Sequence, residues 1–178
     1  MPNSLGATMT SSAHEFESAA RAFCAWAETN EPADSFAEAF EARKLLARLV
    51  SVAADLELPE DPGPEVNAES FDSTSEEYQL VFRRFGALPF NYYSEMFNPL
   101  EVPPSEEPVI ADLADDLADV WRDLKRGLKL WDEGETNAAL WNWAFHFSAH
   151  WGHHATAALY ALQTWFSRIG DDRRWGGA

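Results

Sequence analysis

The stretch TNAALWNWAFHFSAHWGHHATAALYALQTWFSRI, residues 136–169, decides the fold. When it is drawn as one helix at about 100° per residue, apolar side chains cover both of its sides. Ala139 and Trp143 fall on one side, and Trp141 and Phe145 fall on the opposite side. A helix that is apolar all round is enclosed by other helices. The sequence therefore predicts that this stretch is the central member of a helical bundle.

The composition of the chain limits the class of protein. It has 178 residues, of which 46% are hydrophobic, and a formal net charge of −17. This length suits one domain with a core, and the hydrophobic share argues against disorder. The negative charge repels nucleic-acid phosphates and anionic lipid surfaces, so we expect neither nucleic acid nor a membrane as a partner. A basic protein partner or a divalent cation is electrostatically easier to accommodate.

The N-terminal residues contain no basic leader followed by an apolar stretch, and no run is long enough to span a membrane. We therefore expect a cytoplasmic protein. Its one cysteine, Cys24, lies in the apolar run AFCAWA and is expected to be a small core residue rather than a nucleophile.

Helical patterns recur along the chain, with caps and turn residues between them. The fold predicted from them is all-α: a single-domain helical bundle over residues 1–178, with a C-terminal antiparallel helical hairpin as its core. The less ordered parts are expected to be a flexible N-terminus at about residues 1–12, a Pro- and acid-rich surface loop at about 59–75 and a frayed C-terminus at about 171–178.

Five helical segments are expected before the central stretch. The first begins at a cap formed by Ser11 or Ser12 and runs to about Glu28, and the second begins at Asp34 or Ser35. A short helix at residues 76–85 and another turn or two at 88–100 follow. Residues 106–134 then form the clearest amphipathic helix, which Gly134 ends. The apolar stripe of the second segment is Phe36, Phe40, Leu45, Leu49, Val52 and Leu56, and that of the fifth is Ile110, Leu113, Leu117, Trp121, Leu124, Leu128 and Trp131.

Three C-terminal motifs carry a resemblance to a known family. They are EEPV (Glu106–Val109), LADDLADVWRDLKRGL (Leu113–Leu128) and HWGHHA (His150–Ala155), with two tryptophans shortly before the last motif. In these motifs the chain resembles an uncharacterised bacterial family of small acidic helical proteins, catalogued as a domain of unknown function. The resemblance implies no activity, cofactor or partner.

Histidines and aspartates in the last two helices suggest a metal site. His150 and His154 are four residues apart, so their imidazoles share one helix face. If the preceding helix pairs antiparallel with this one, Asp116 and Asp112 lie near the height of the two histidines. His150, His154, Asp116 and Asp112 are therefore candidate ligands for Zn²⁺, Mn²⁺ or Fe²⁺.

A structural interpretation competes with this metal hypothesis, and the sequence favours it. In that interpretation the histidines are satisfied core residues, and the aspartates form a solvated face with ion pairs such as Asp119 with Arg122 and Asp123 with Arg126. Neither HExxH nor the ExxH pattern of di-iron bundles occurs.

Two functions remain after these considerations. The preferred one is a non-enzymatic cytoplasmic binding or interaction protein whose acidic surface meets a basic protein partner, with no cofactor. The alternative is a divalent-metal-binding helical bundle, a hydrolase or an oxidoreductase, that uses His and Asp from the last two helices. The sequence assigns no catalytic residue.

Overall fold

The computed structural model describes residues 4–29, 32, 34–61, 68–96 and 98–175. Within them the chain forms six α-helices and one two-stranded sheet, so the all-α prediction is correct only for the greater part of the fold. The elements in chain order are α1 (Ser4–Ala27), α2 (Ser35–Ala53), α3 (Ser75–Arg84), β1 (Tyr92–Glu95), β2 (Val109–Asp112), α4 (Leu113–Asp132), α5 (Thr136–Ala149) and α6 (Trp151–Trp175), with short 3₁₀ turns at Ala68–Phe71 and Phe85–Ala87.

The helix at the centre is α4, and the prediction that residues 136–169 form the central member is wrong. Helix α4 packs against α1, α3, α5 and α6. Its predicted stripe from Leu113 to Leu128 is buried, as are Asp116, Asp119 and Asp123 on a further side. A helix with four helical neighbours buries some of its polar side chains as well as its apolar ones.

Residues 136–169 form two helices instead of one. The chain leaves helical geometry at His150, whose φ and ψ are −151° and −85°. Phe145 is 43% exposed and stacks on the half-buried Trp141, so the outer side of α5 faces solvent. Their apolar character suggested burial, but stacking the two rings on each other already removes part of their surface from water.

A glycine accounts for the sharp junction between α5 and α6. At Gly152 an added Cβ would lie 2.1 Å from the carbonyl oxygen of Phe147, inside van der Waals contact. Only a residue without a side chain therefore lets the start of α6 lie this close to the end of α5. The indole Nε1 of Trp151 donates to the Trp143 carbonyl at 3.1 Å and fixes the junction further.

Strands β1 and β2 pair antiparallel, with Tyr92 opposite Asp112 and Glu95 opposite Val109. The predictions of a helical turn within residues 88–100 and of a helix that begins at residue 106 are both wrong at these positions. Aromatic residues in β1 and β-branched residues in β2 favour the extended chain. Ile110, predicted to be buried, is 81% exposed because its strand lies outside the bundle.

The N-terminal half follows the predicted pattern more closely. Asp34 caps α2 by accepting hydrogen bonds from two backbone N–H groups, as predicted. Phe16 and Phe23 of α1 are fully buried, and burial also raises the pKa of the Cys24 thiol. In contrast, Phe36 and Phe40 of the predicted α2 stripe are exposed.

Three predicted boundaries concern parts that the structure describes incompletely. Helix α1 begins at Ser4, upstream of the predicted cap residues, and residues 1–3 lie outside the described residues. Residues 62–67 of the expected loop and residues 176–178 of the expected frayed end also lie outside the described residues. Helix α6 extends to Trp175. None of the described helices is both long and apolar enough to cross a membrane.

Candidate metal centre

One face of α4 presents three aspartates to the histidines of α5 and α6. The exposed fractions are 5% for Asp116, 9% for Asp119 and 3% for Asp123. The expectation that these aspartates form a solvated face is therefore wrong. The antiparallel hairpin continues past the α5–α6 junction, so the second half of the C-terminal segment covers this side of α4.

Each of two histidines is held by one of these aspartates through its Nδ1 atom. His150 Nδ1 lies 2.7 Å from Asp123 Oδ2, and His154 Nδ1 lies 2.8 Å from Asp116 Oδ1. An ionised carboxylate only accepts hydrogen bonds, so each Nδ1 carries a proton. In the neutral imidazole the lone pair then resides on Nε2, which is the atom available to a metal.

The two Nε2 atoms converge on the remaining aspartate. Asp119 Oδ2 lies 3.9 Å from His150 Nε2 and 3.7 Å from His154 Nε2. Tetrahedral zinc bonds of about 2.1 Å place neighbouring ligand atoms about 3.4 Å apart. A shift of a few tenths of an ångström would therefore bring each Nε2 atom to this distance from Asp119 Oδ2, and the three residues offer donor atoms within 4.8 Å of one another. We call His150, His154 and Asp119 the ligand triad.

Further side chains position the carboxylates around the ligand triad. Tyr93 of β1 donates its hydroxyl proton to Asp116 Oδ2 at 2.6 Å. The Tyr78 hydroxyl of α3 lies 2.9 Å from Asp115 Oδ1 and 3.1 Å from Asp119 Oδ1, so the two carboxylates share its proton. Asp119 Oδ1 also pairs with Arg122 Nη2 at 2.8 Å, which leaves Oδ2 to face the histidines. Such outer contacts orient metal ligands in known metal sites.

A second group of donor atoms shares one histidine with the ligand triad. Asp123, His146 and His150 each offer an atom within 4.8 Å of the others. Here, however, Asp123 Oδ2 is already hydrogen-bonded to His150 Nδ1, and His146 Nδ1 lies 3.8 Å away. Asp123 is thus better placed to orient His150 than to bind an ion itself.

The local charges shift the pKa values of the aromatic partners. The hydrogen bond to Asp116 is the main cause that raises the pKa of His154, against a smaller opposing effect of burial. Burial is the main cause that lowers the pKa of His146 and keeps its imidazole neutral. Burial also raises the pKa of Tyr78 and of Tyr93, so both phenols stay protonated and donate to the carboxylates.

The four residues predicted as ligands have different positions. His150 and His154 belong to the ligand triad, and Asp116 contacts His154 from the side opposite the converging atoms. Asp112 lies apart from both donor groups within the described residues and caps α4, because its Oδ1 accepts from Ala114 N at 3.0 Å and from Asp115 N at 3.2 Å.

Sequence reasoning missed the roles of Asp119, Asp123, Tyr78 and Tyr93. The spacing of Asp116, Asp119 and Asp123, at steps of three and four residues, was a usable signal because it places all three on one helix face. The tyrosines gave no such signal, since α3 and β1 reach the site only through the tertiary fold. Of the two predicted ion pairs, Asp119 with Arg122 is present, whereas Arg126 pairs with Asp72 instead of Asp123.

Comparison with solved structures supports the architecture. Protein BF1032 from Bacteroides fragilis, a structural genomics target, matches with a TM-score of 0.67 at 23% sequence identity. The match covers 84% of this chain and 89% of that one. At this identity the likeness concerns the fold.

No curated protein matches the chain. The family model that does match is described as "Domain of unknown function (DUF5063)" and spans residues 7–167. That range includes all three C-terminal motifs, and it confirms the resemblance to an uncharacterised family. The chain belongs to the DUF5063 family.

Proposed function

We propose that this protein binds one divalent cation, Zn²⁺, Mn²⁺ or Fe²⁺, at the ligand triad of His150, His154 and Asp119. The observation that carries the proposal is the convergence of two Nε2 atoms on Asp119 Oδ2 at 3.9 and 3.7 Å, while each Nδ1 is held by a separate aspartate. Imidazole–carboxylate contacts on the far side of a ligand are the usual support of a protein metal site.

Electrostatics also supports a cation at this position. Three aspartates that are at most 9% exposed lie within two turns of one helix. Buried carboxylates are costly unless cations compensate them. Arg122 pairs with Asp119, and Asp116 and Asp123 hydrogen-bond to the imidazoles of His154 and His150. A divalent ion would add further positive charge beside these three carboxylates.

The number of ligands suggests a reactive site. Three protein ligands leave coordination positions for water or a substrate, as in catalytic zinc sites and in iron sites with two histidines and one carboxylate. This arrangement favours the hydrolase or oxidoreductase alternative over a purely structural ion, which takes four protein ligands.

Metal titration of a tag-free protein tests the proposal. After chelation, the wild type should take up about one equivalent of Zn²⁺, Mn²⁺ or Fe²⁺, whereas Asp119→Asn and His154→Gln should lose tight binding. His153→Gln is the matched control, because His153 lies on the same helix and contacts Glu95 at 2.8 Å, away from the triad. Uptake below about a tenth of an equivalent by the wild type would contradict the proposal.

A second candidate function rests on an exposed aromatic patch. Phe36 and Phe40 of α2 are exposed and lie 5.4 and 6.3 Å, between ring centroids, from Phe166 of α6. Together with the net charge of −17, this patch favours an interaction with a basic protein partner. A lysine-rich amphipathic peptide should bind the wild type more tightly than Phe40→Ser, and equal affinities would exclude this surface.

A further inference from the structure

A pocket of about 650 Å³ opens beside the ligand triad. The start of α3, the middle of α4 and the end of α5 form its walls. Tyr78 and His150 belong to both the pocket wall and the surroundings of the triad, since Tyr78 donates to Asp119 and His150 is a triad member. This volume lies within the range of about 300–1,000 Å³ that small-molecule sites occupy.

Two arginines give the pocket its donors. Both arginines line the pocket. Arg126 donates its Nε–H to Asp72, and Arg122 pairs with Asp119 through Nη2. A guanidinium has five N–H donors, so both arginines retain further donors for a ligand. Two carboxylates, Asp72 and Asp123, also line the wall, but Arg126 and His150 respectively already engage them.

A buried hydroxyl adds a third donor. Ser73 Oγ lies in the pocket wall, is shielded from solvent, and forms no hydrogen bond with any residue that the structure describes. A buried polar atom without a partner destabilises the fold, so a ligand oxygen that reaches this hydroxyl would relieve that cost. Next to these donors, Phe145 and Ala149 provide an apolar wall.

We propose that this pocket binds an organic phosphate monoester, with the phosphoryl group held by Arg122, Arg126 and Ser73 and the organic group against Phe145. Arginine forks match phosphate geometry. Three separate donor groups suit a phosphate, which offers three equivalent terminal oxygens, better than a carboxylate, which offers two. The volume also exceeds what a phosphoryl group alone would fill, so the apolar wall is left for the rest of the molecule.

This inference rests on the proposed metal function, because that function places a cation close to the bound ligand. A cation at the triad would lie across His150 from the pocket and would add positive charge near the phosphoryl group. This charge favours a dianion over a neutral ligand.

Calorimetric titration with phenyl phosphate tests the pocket. The wild type should bind it, and Arg126→Gln should weaken the affinity about tenfold or more, because a charge-assisted hydrogen bond is lost. Lys125→Gln is the matched control: it removes the same charge from α4, and Lys125 pairs with Glu28 at 2.7 Å and is not part of the pocket wall. Its affinity should stay within about twofold of the wild type.

Three results would overturn the inference: no binding of phenyl phosphate, equal loss in the two variants, or equal affinity for benzoate. Metal binding at the triad is tested separately, by measuring the ³¹P line width of phenyl phosphate in the presence of Mn²⁺-loaded protein. Broadening that Asp119→Asn abolishes would support both proposals. Binding that depends on Arg126 but shows no broadening would support the pocket and contradict a metal at the triad.

Discussion

At the scale of single residues, the role of each aspartate depends on which imidazole nitrogen it contacts. Asp116 and Asp123 face Nδ1 atoms at hydrogen-bond distance, whereas Asp119 faces Nε2 atoms at nearly 4 Å. A carboxylate on Nδ1 orients the ring and raises its basicity as a ligand. Substitutions of these three aspartates are therefore expected to have different effects on metal binding, although all three lie on one face of α4.

Removing the carboxylate behind His154 should weaken metal binding without abolishing it. For Asp116→Asn we expect a metal affinity about 10–100-fold lower than that of the wild type, because the ring loses the partner that orients it. Competition with a chromophoric chelator measures the change. Asp132→Asn is the control, since Asp132 is an exposed aspartate at the end of α4 that pairs with Arg21 rather than with a histidine. Equal losses in the two variants would contradict an orienting role for Asp116.

The raised pKa of His154 predicts a pH dependence of stability in the metal-free protein. Asp116, Asp119 and Asp115 of α4 all raise this pKa above its ordinary value of 6.5. A folded-state pKa above the unfolded one contributes stability that is fully present below about pH 6.5 and is lost as the pH rises through the folded value. The free energy of unfolding of the wild type should therefore exceed that of His154→Gln by less and less as the pH rises.

Urea unfolding between about pH 5.5 and about pH 8.5 measures this advantage. The neighbouring imidazole of His150 lies 4.8 Å away between ring centroids and is present in both proteins. An advantage that grows with pH would mean that the His154–Asp116 contact favours the neutral imidazole.

At the scale of elements, the hairpin of α4 and α5 depends on a glycine in the middle of α4. A Cβ added at Gly127 would lie 2.0 Å from Nε1 of Trp143, whose indole donates to the Leu124 carbonyl at 3.2 Å. Trp143 is completely buried. The two helices therefore approach each other closely at a point where one of them has no side chain.

Gly127→Ala should destabilise the protein although alanine is the better helix former. The intrinsic preference would add about 1 kcal/mol of stability. Overpacking against the fixed indole should cost about 1–3 kcal/mol or more and determine the sign. Thermal and urea unfolding measure the net change. Gly86→Ala is the control, because nothing lies within 4 Å of an added Cβ there; a stabilised Gly127→Ala protein would show that Trp143 moves freely.

At the scale of the whole molecule, a buried ion pair joins helices that are distant in sequence. Glu38 of α2 is 4% exposed, accepts a hydrogen bond from Trp26 Nε1 of α1 at 3.0 Å, and lies 2.6 Å from Arg84 Nη1 at the end of α3. The Arg84 guanidinium also lies 4.7 Å from the Trp26 ring centroid. One carboxylate thus holds three helices together.

Removing this carboxylate should have a large effect. Glu38→Ala should lower the free energy of unfolding by about 3–5 kcal/mol, because Arg84 is left buried without its counter-ion. In contrast, Glu41→Ala breaks an exposed pair with Lys44 and should cost about 0–1 kcal/mol. Urea denaturation of both variants tests the difference. Similar losses of unfolding free energy in the two variants would mean that water screens the buried pair as strongly as the exposed one.

Much of the fold could be predicted because it depends on local chemistry. Asp34 caps α2 and Gly134, with φ of +86°, ends the α4 turn, as their residue types favour. The apolar stripe of α4 from Leu113 to Leu128 is buried because its 3.6-residue period suits one helix face. The strand pair was missed because four-residue strands are too short to show a period.

The candidate site divides in a similar way. Histidine spacing predicted that His150 and His154 are neighbours on one helix. The chain breaks at His150, but α6 begins at the next residue and the two imidazoles still lie 4.8 Å apart between ring centroids. Asp119 could not be chosen over Asp116 or Asp112, because that choice depends on the rotation of α4 about its axis relative to α6. Tyr78 and Tyr93 reach the site from α3 and β1, which no local pattern connects with it.

The sequence by itself determined a mostly helical chain, its family, the α4–α5 hairpin and the two histidines of the candidate site, because each depends on residues close together along the chain. Only the tertiary structure decided that α4 is the central helix, that the chain breaks at His150, and which aspartate faces the two Nε2 atoms. These features depend on how the helices pack around one another. Packing is decided by shape and burial over the whole molecule, and a one-dimensional pattern does not contain that information.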